Sequence, residues 1–320
     1  MMAKRKGEKG PLLVLAALAV LLAAQVKPAV SAGGYTIDIQ TKVRDIVKAN
    51  RAVSPGFIRL VFHDCWVKGC DASVLLNNGD GTAEMDAVQN GGIRGLDVIQ
   101  AIKDKLAVNY TDVTCADAVV YAAREACYVL SGEKIKYDVD GPGSHKDAVA
   151  SSKADAAALP SPFASFSDLV ANFKLKGFTA RDVVVLSGAH AVGLAHRPAF
   201  EARLTAPAAE IDPAYRNDVN VTSNASPSKT AHNNVRDLGK AEAEPGVLDN
   251  NYYAANLAKK VLFGSDFALT TDGAAMTNMT AYKNNAATWY PLFEDAMARL
   301  SRLPPLGTTG GPRAKCNTPN

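Results

Sequence analysis

Arg59-Leu60-Val61-Phe62-His63-Asp64-Cys65-Trp66-Val67-Lys68-Gly69-Cys70-Asp71-Ala72-Ser73 is the stretch whose reading decides the fold. On it and just before it, Phe57, Ile58, Val61 and Phe62 recur at spacings of three and four, the period of a helix that buries one face. Arg59 and His63 stand four residues apart and so share a helix face. Asp64 lies about 100° further round and points elsewhere. Two cysteines flanking a glycine follow, then Asp71 and Ser73, two apart. An Arg–His pair facing one way and oxygen ligands facing another make one element that serves two sites.

The chain has 320 residues, enough for one large or two small domains. It is 48% hydrophobic and 21% charged, ordinary for a folded protein, with no repeat, low-complexity tract or run of heptads. Residues 1–32 read as a secretory signal peptide: Lys4, Arg5, Lys6 and Lys9 form a basic start, Pro11 to Ala24 an apolar core, and Val30-Ser31-Ala32 a cleavage site. An uncleaved membrane anchor is the alternative, although the apolar run is short for one and no later segment could span a bilayer. This leaves residues 33–320 as a single domain. The leader holds five of the basic residues and one acidic residue, so its removal takes the formal charge from +3 to −1. A near-neutral chain gives a nucleic-acid partner no electrostatic support.

Export favours disulfides, and the five cysteines are Cys65, Cys70, Cys115, Cys127 and Cys316. An odd number leaves at least one free or paired between chains. Sequons at Asn109, Asn220, Asn224 and Asn278 offer glycan sites and corroborate export only weakly.

The pattern predicts helices over 36–50, from Ser54-Pro55 through His63, over 96–108, 115–130, 166–173, 179–187, 248–262 and 286–300. The helix from Cys115 is apolar nearly all round and should be buried. Thr179 with Asp182 makes a capping box in all but side-chain length. Residues 77–92 and 137–149 read as irregular, 204–247 as a weakly patterned, charged excursion or short-helix region, Ser265-Asp266 as the opening of a loop, and 304–320 as an extended tail. No alternating stretch is strong enough to build a sheet. The fold class is all-α, with about ten helices in two lobes.

Five histidines occur, His63, His145, His190, His196 and His232, with no HExxH spacing; GxSxG, P-loop and dinucleotide fingerprints are absent too. His190 and His196, six apart, are badly placed to share a metal on one helix.

Arg59 to Cys65 followed by Gly69-Cys70-Asp71-Ala72-Ser73-Val74-Leu75-Leu76 resembles the distal helix of the plant secretory (class III) haem peroxidases. Cys115-Ala116-Asp117, Ala122-Ala123-Arg124, Leu186-Ser187-Gly188-Ala189-His190, Asp249-Asn250-Asn251-Tyr252-Tyr253, Ser265-Asp266 and the tail from Gly307 to Cys316 resemble later blocks of that family, in order. The resemblance covers nearly the whole chain after residue 32. It implies the haem peroxidase fold, one haem b lying between the lobes, and a secreted monomer in the extracellular space or cell wall, or in the vacuole. Hydrogen peroxide and small phenolic donors are the implied partners, with no membrane once the leader is removed.

Residue by residue, the resemblance makes His63 the distal base, Arg59 the cation that stabilises charge as the O–O bond parts, and Asn90 the acceptor that orients His63. His190 corresponds to the proximal iron ligand and Asp266 to its carboxylate partner. Phe62 packs the distal haem face in this scheme or serves as a core residue. Ser187 either positions the haem or is a helix-terminal serine with no such part. Asp64, Asp71 and Ser73, with carbonyls of Asp64, Val67 and Gly69, resemble a distal calcium site to which Glu84 connects through water. On the proximal side the family expects a threonine where Ala191 stands, and further ligands near Ala241 and Glu244. Only Asp249 matches, so either no cation or a weaker one is expected there.

The resemblance pairs Cys65 with Cys70 and Cys115 with Cys316. Two further family bridges are missing, with Asn109 and Arg197 at two of their positions. Cys127 is a core thiol or a partner in a new bridge. Pro160 and Phe163 match the substrate mouth, and Val88 replaces an edge aromatic. His145 either pairs with Asp117 or lies on the surface. Three readings follow: an active peroxidase, a weak or narrow one, and an extracellular cell-wall protein that uses the fold for binding or structure.

Overall fold

Thr114 accepts a hydrogen bond from Asp117 N at 2.9 Å, and Asp117 returns one to Thr114 N at 3.0 Å. This reciprocal cap starts the helix around which the others gather. A computed structural model describes residues 34–225, 230–231 and 246–319. The expected leader, His232, and the positions Ala241 and Glu244 lie outside the described residues.

Eleven α-helices occur among them. They are α1 (Ile37–Ala49), α2 (Ser54–Lys68), α3 (Leu96–Ala107), α4 (Cys115–Leu130), α5 (Phe166–Lys174), α6 (Ala180–Ser187), α7 (Pro213–Ala225), α8 (Asn251–Leu257), α9 (Gly264–Ala268), α10 (Gly273–Asn284) and α11 (Ala286–Leu300). Two two-residue strand pairs complete the fold: β1 (Asp147–Ala148) against β4 (Thr309–Gly310), and β2 (Leu194–Ala195) against β3 (Thr230–Ala231), both antiparallel. The all-α reading therefore holds.

Helix α4 buries every residue except Val129, as its all-round apolar sequence requires. Helices α1, α2 and α3 pack on it. A second group, α6, α8, α10 and α11, packs among itself and meets the first where α11 touches α2. The candidate site residues lie on α2 and the loop after it, and on the turn that ends α6 and the short helix α9.

Three expectations need correction. The predicted helix over 248–262 is only Asn251–Leu257. It stops because Lys259 takes a left-handed conformation, φ 62°, after which Val261 and Leu262 turn inward. Asp266 is not in a loop but in the short helix α9. Helix α10 was not predicted, because its buried stripe is only Ala275, Met279 and Tyr282 among small and polar residues. Its one strong signal is Asp272, which accepts from Ala275 N at 2.8 Å as N-cap.

Polar contacts form at or beside the two positions, Asn109 and Arg197, where the resemblance expects cysteines. Tyr110 donates to Asp38 at 2.8 Å and so ties α1 to the segment after α3. Arg197 donates to Ser223 at 2.6 Å and to Asn220 at 3.2 Å, holding the strand-β2 segment against α7. Disulfides join Cys65 to Cys70 and Cys115 to Cys316. Cys127 is a buried free thiol whose pKa burial pushes up.

His145 is buried, with Nδ1 2.8 Å from Asp117 Oδ1 and Nε2 2.7 Å from the Ser301 carbonyl. Of the two alternatives, the pair forms. Burial pushes its pKa down, but the Asp117 hydrogen bond and charge, helped by the Ser301 carbonyl, outweigh burial and leave it raised. A raised folded-state pKa stabilises the fold fully below the unfolded value, roughly 6.5, and that contribution disappears as pH rises through the folded value. The melting-temperature gap between wild type and H145Q is therefore expected to be widest in mild acid and to narrow as pH rises. Thermal melts across that range check it, and a gap that widens with pH would contradict it.

Candidate active site

Helix α2 presents Arg59 and His63 on one face, one turn apart. The loop behind them carries Asn90 in a short turn, Val88–Asn90. His63 Nδ1 lies 2.6 Å from Asn90 Oδ1, and Asn90 Nδ2 donates to the Glu84 carbonyl at 2.7 Å. The carboxamide oxygen is therefore turned to the ring as acceptor, which places the proton of the neutral imidazole on Nδ1 and leaves Nε2 as the base. Burial and the Arg59 charge push the His63 pKa down to about 3, against the Asn90 hydrogen bond. His63 is therefore neutral at ordinary pH.

Arg59 donates to the carbonyls of Gly91 at 3.1 Å and Gln89 at 2.9 Å, which fix its guanidinium beside the same loop. Burial, with Arg94 adding, lowers its pKa only to about 10, so it keeps its charge.

Opposite, α6 ends at Ser187 and a tight turn, Gly188–Ala191, carries His190. His190 Nδ1 lies 2.8 Å from Asp266 Oδ1, and Tyr252 donates to the same oxygen at 2.7 Å. Burial lowers the His190 pKa but Asp266 more than restores it. The Arg59 charge acts on both His63 and His190. Both rings lie deep in the protein, yet the His190 side chain keeps 38% of its accessible area. An imidazole–carboxylate pair and an imidazole–guanidinium pair thus lie within electrostatic reach of each other through Arg59, and the His190 ring is left partly uncovered by its neighbours. The donor set fits a haem: a ring nitrogen for iron backed by a carboxylate, and no competing acid on the opposite wall.

Phe62 stacks on Trp66, ring centres 4.7 Å apart, and meets His63 edge-on at 6.2 Å. Ser187 donates its hydroxyl to the Val183 carbonyl at 2.8 Å. Pro160 is half-buried and Phe163 is 56% exposed. Their turn is clipped to α9 by Ser265 N, which donates to the Pro162 carbonyl at 2.9 Å. Val88 is 88% exposed on the same loop as Asn90.

The second face of α2 buries Asp64, and Asp71, Ser73 and Glu84 are buried near it. Asp64 Oδ2 accepts from Ala72 N at 3.0 Å, and Ser73 donates to Glu84 at 3.0 Å. Asp64 Oδ1 and Glu84 Oε1 are buried with no hydrogen-bond partner. Burial pushes the Glu84 pKa up to about 8, and burial with Asp71 and Glu84 raises that of Asp64. Buried carboxylates so placed call for a cation. Among the described residues no three His, Cys, Asp or Glu side chains converge on one point. The side-chain donors gathered here, from Asp64, Asp71, Ser73 and Glu84, are all oxygens, the hard donor type that calcium takes.

The proximal counterpart differs. Ala191 is fully buried and offers no side-chain oxygen. Asp249 Oδ1 accepts from Asn251 N at 3.0 Å and Oδ2 from Asn251 Nδ2 at 2.8 Å, so both oxygens are engaged at the start of α8.

Three residues without a role in the sequence reading matter here. Tyr252 shares the Asp266 oxygen; it stood in a quoted motif, but the contact is tertiary. Arg313 is fully buried in the tail and donates to the Ala72 carbonyl at 2.8 Å and the Ala148 carbonyl at 3.2 Å, bracing the distal turn from beneath. His196 packs against Gly92: a Cβ there would stand 2.1 Å from its Nε2, so only glycine, here at φ 78°, lets the two segments meet.

Residues 39–285 match the family described as Peroxidase. The chain is 34% identical over 285 residues to "Peroxidase 47" of Arabidopsis thaliana, covering 88% of this chain and 84% of that one. It is 33% identical over 322 residues to "Peroxidase 5" of Vitis vinifera, covering 96% and 95%. It is 34% identical over 285 residues to "Basic peroxidase" of Zinnia elegans, covering 88% and 85%. The chain belongs to the peroxidase family, in its plant secretory (class III) branch.

Proposed function

We propose that this peroxidase is a secreted haem enzyme that reduces hydrogen peroxide and oxidises small phenols in one-electron steps. One observation supports the reading: the His63–Asn90 and His190–Asp266 pairs both form, and the Arg59 charge acts on both rings. A bound haem supplies an iron centre that takes two oxidising equivalents from peroxide and passes them on singly. His190 holds that iron, with Asp266 and Tyr252 fixing the ring. Neutral His63 takes the proton from the near oxygen of peroxide at Nε2 and returns it to the departing far oxygen. Arg59 stabilises the charge that develops as the bond parts. Asn90 keeps the ring in the tautomer that can do this.

Phenols approach past Pro160 and Phe163. Phe62 walls the distal side, and Ser187, its hydroxyl turned into α6, walls the proximal side. Asp64, Asp71 and Ser73 hold one calcium with the carbonyls of Val67 and Gly69, and Glu84 reaches it through water. The leader over 1–32 directs export to the wall or the vacuole, the protein acts as a monomer without nucleic acid or membrane, and exposed Asn109, Asn220 and Asn224 with half-buried Asn278 accept glycans. No observation favours a purely structural wall protein.

Peroxide-dependent oxidation of a simple methoxyphenol by the haem-loaded protein tests the reading, and a folded, haem-loaded protein without turnover would refute it. Elemental analysis is expected to find one tightly held calcium per chain, because Ala191 offers no side-chain oxygen and both Asp249 oxygens already accept hydrogen bonds from Asn251. Two would contradict this.

A further inference from the structure

Beneath His190 runs a continuous file of rings. His190 meets Tyr252 at 6.3 Å between ring centres, Tyr252 meets Tyr253 at 5.2 Å, Tyr253 meets Trp289 at 5.8 Å and Trp289 meets Tyr290 at 5.4 Å. Each spacing falls in the range of direct aromatic contact. After His190 every member is a tyrosine or tryptophan, the side chains most readily oxidised by one electron. The first three are fully buried, and Tyr290 is half-exposed. Gly188 permits the file: a Cβ there would stand 2.6 Å from the Trp289 ring and 2.8 Å from the Tyr253 hydroxyl. The turn that carries His190 thus sits directly on the next two rings.

Proton partners give the file a direction. Tyr253 donates to the carbonyls of Val184 and Val185, and Trp289 to that of Val185. A carbonyl is no base, so an oxidised ring cannot shed its proton there and the vacancy moves on. Tyr252 donates to Asp266, a carboxylate that can take its proton but is buried beside His190 and returns it when the ring is reduced again, so no proton leaves the protein there. A side branch leads from Tyr253 to Tyr282 at 5.2 Å, but Tyr282 is only 2% exposed and ends in the core. Only at Tyr290 does a redox-active ring meet solvent that can take the proton.

We propose that Tyr290 is a second oxidation site, at the surface, for phenolic polymers too large to enter the haem space. The proposal rests on the peroxidase reading. Peroxide takes two electrons and two protons and leaves as two waters. Each electron drawn along the file leaves a phenoxyl radical at Tyr290, whose proton passes to solvent. A polymer phenol then gives Tyr290 one electron and one proton, restoring the tyrosine and becoming a phenoxyl radical itself. The protons lost equal those consumed, and the donor need only touch the ring.

The test treats the haem-loaded protein with peroxide and a nitroso spin trap and maps adducts by peptide mass spectrometry. An adduct is expected on Tyr290 in wild type and not in W289F, whose phenyl ring interrupts the file. In parallel, tyramine-substituted dextran is compared with free tyramine as donor. In Y290F the rate on the dextran is expected to fall by about tenfold relative to free tyramine. Absence of the Tyr290 adduct, its persistence in W289F, or an equal loss on both donors in Y290F would overturn the proposal. Should W289F fail to accumulate, Y290F, a change at the surface, still decides it. A haem spectrum that does not respond to peroxide in wild type would instead refute the peroxidase reading itself.

Discussion

H63A is expected to slow the reaction with peroxide by about 10²–10⁴-fold while haem stays bound. The two parts of the statement rest on opposite walls. On the proposed reading haem would be held through His190, whose Nδ1 is 2.8 Å from Asp266 and which lies in a turn continuous with α6. Proton transfer needs a neutral ring nitrogen facing the space, and burial with the Arg59 charge keeps His63 neutral. No neighbour replaces it: Asn90 is not a base, and Arg59 keeps its proton. Stopped-flow spectroscopy of the variant checks this, and a wild-type rate would reject His63 as the base. N90A is expected to lose less, because it removes only the acceptor that orients the ring.

The second large effect is on stability. Removing the Cys115–Cys316 bridge as C115S/C316S is expected to cost about 5 kcal/mol on the loop-entropy account, since the bridge closes a loop of 201 residues. The loss extends beyond the tail. Cys316 anchors the segment from which Arg313 reaches the Ala72 carbonyl and Asp147 accepts from Arg313 N at 2.8 Å. Ala72 N in turn donates to Asp64 on α2. Freeing the tail therefore loosens the turn proposed for calcium, and the variant is expected to bind calcium more weakly as well as unfold in less denaturant. Denaturant unfolding and calcium titration of the double variant check both. Unchanged calcium affinity would show that the tail does not brace the turn.

Much of the distal side was legible because its chemistry lies in one run. Helical period, the four-residue spacing of Arg59 and His63 and the clustered oxygen ligands can all be read along a single element. The proximal side is assembled from three separate elements, so His190, Asp266 and Tyr252 meet only through the fold. Family resemblance supplied the first two; nothing local marks Tyr252. Helix α10 escaped because small residues bury its face without an apolar stripe. His145 stayed ambiguous because one histidine reads alike on a surface and in a buried pair; the buried Asp117 decides it. Arg313 was hidden because an arginine in an extended tail is ordinarily solvated, whereas here two backbone carbonyls, those of Ala72 and Ala148, accept from its buried guanidinium.

The central claim is that iron is held by His190 on one wall while His63 and Arg59 face peroxide from the other. The optical spectrum of the purified protein, recorded before and after one equivalent of peroxide, tests it most directly. The account predicts about one haem per chain, a ferric Soret band that shifts at once on adding peroxide, and its return as a phenol is consumed. A folded protein that carries no haem, or whose Soret band ignores peroxide, would contradict it.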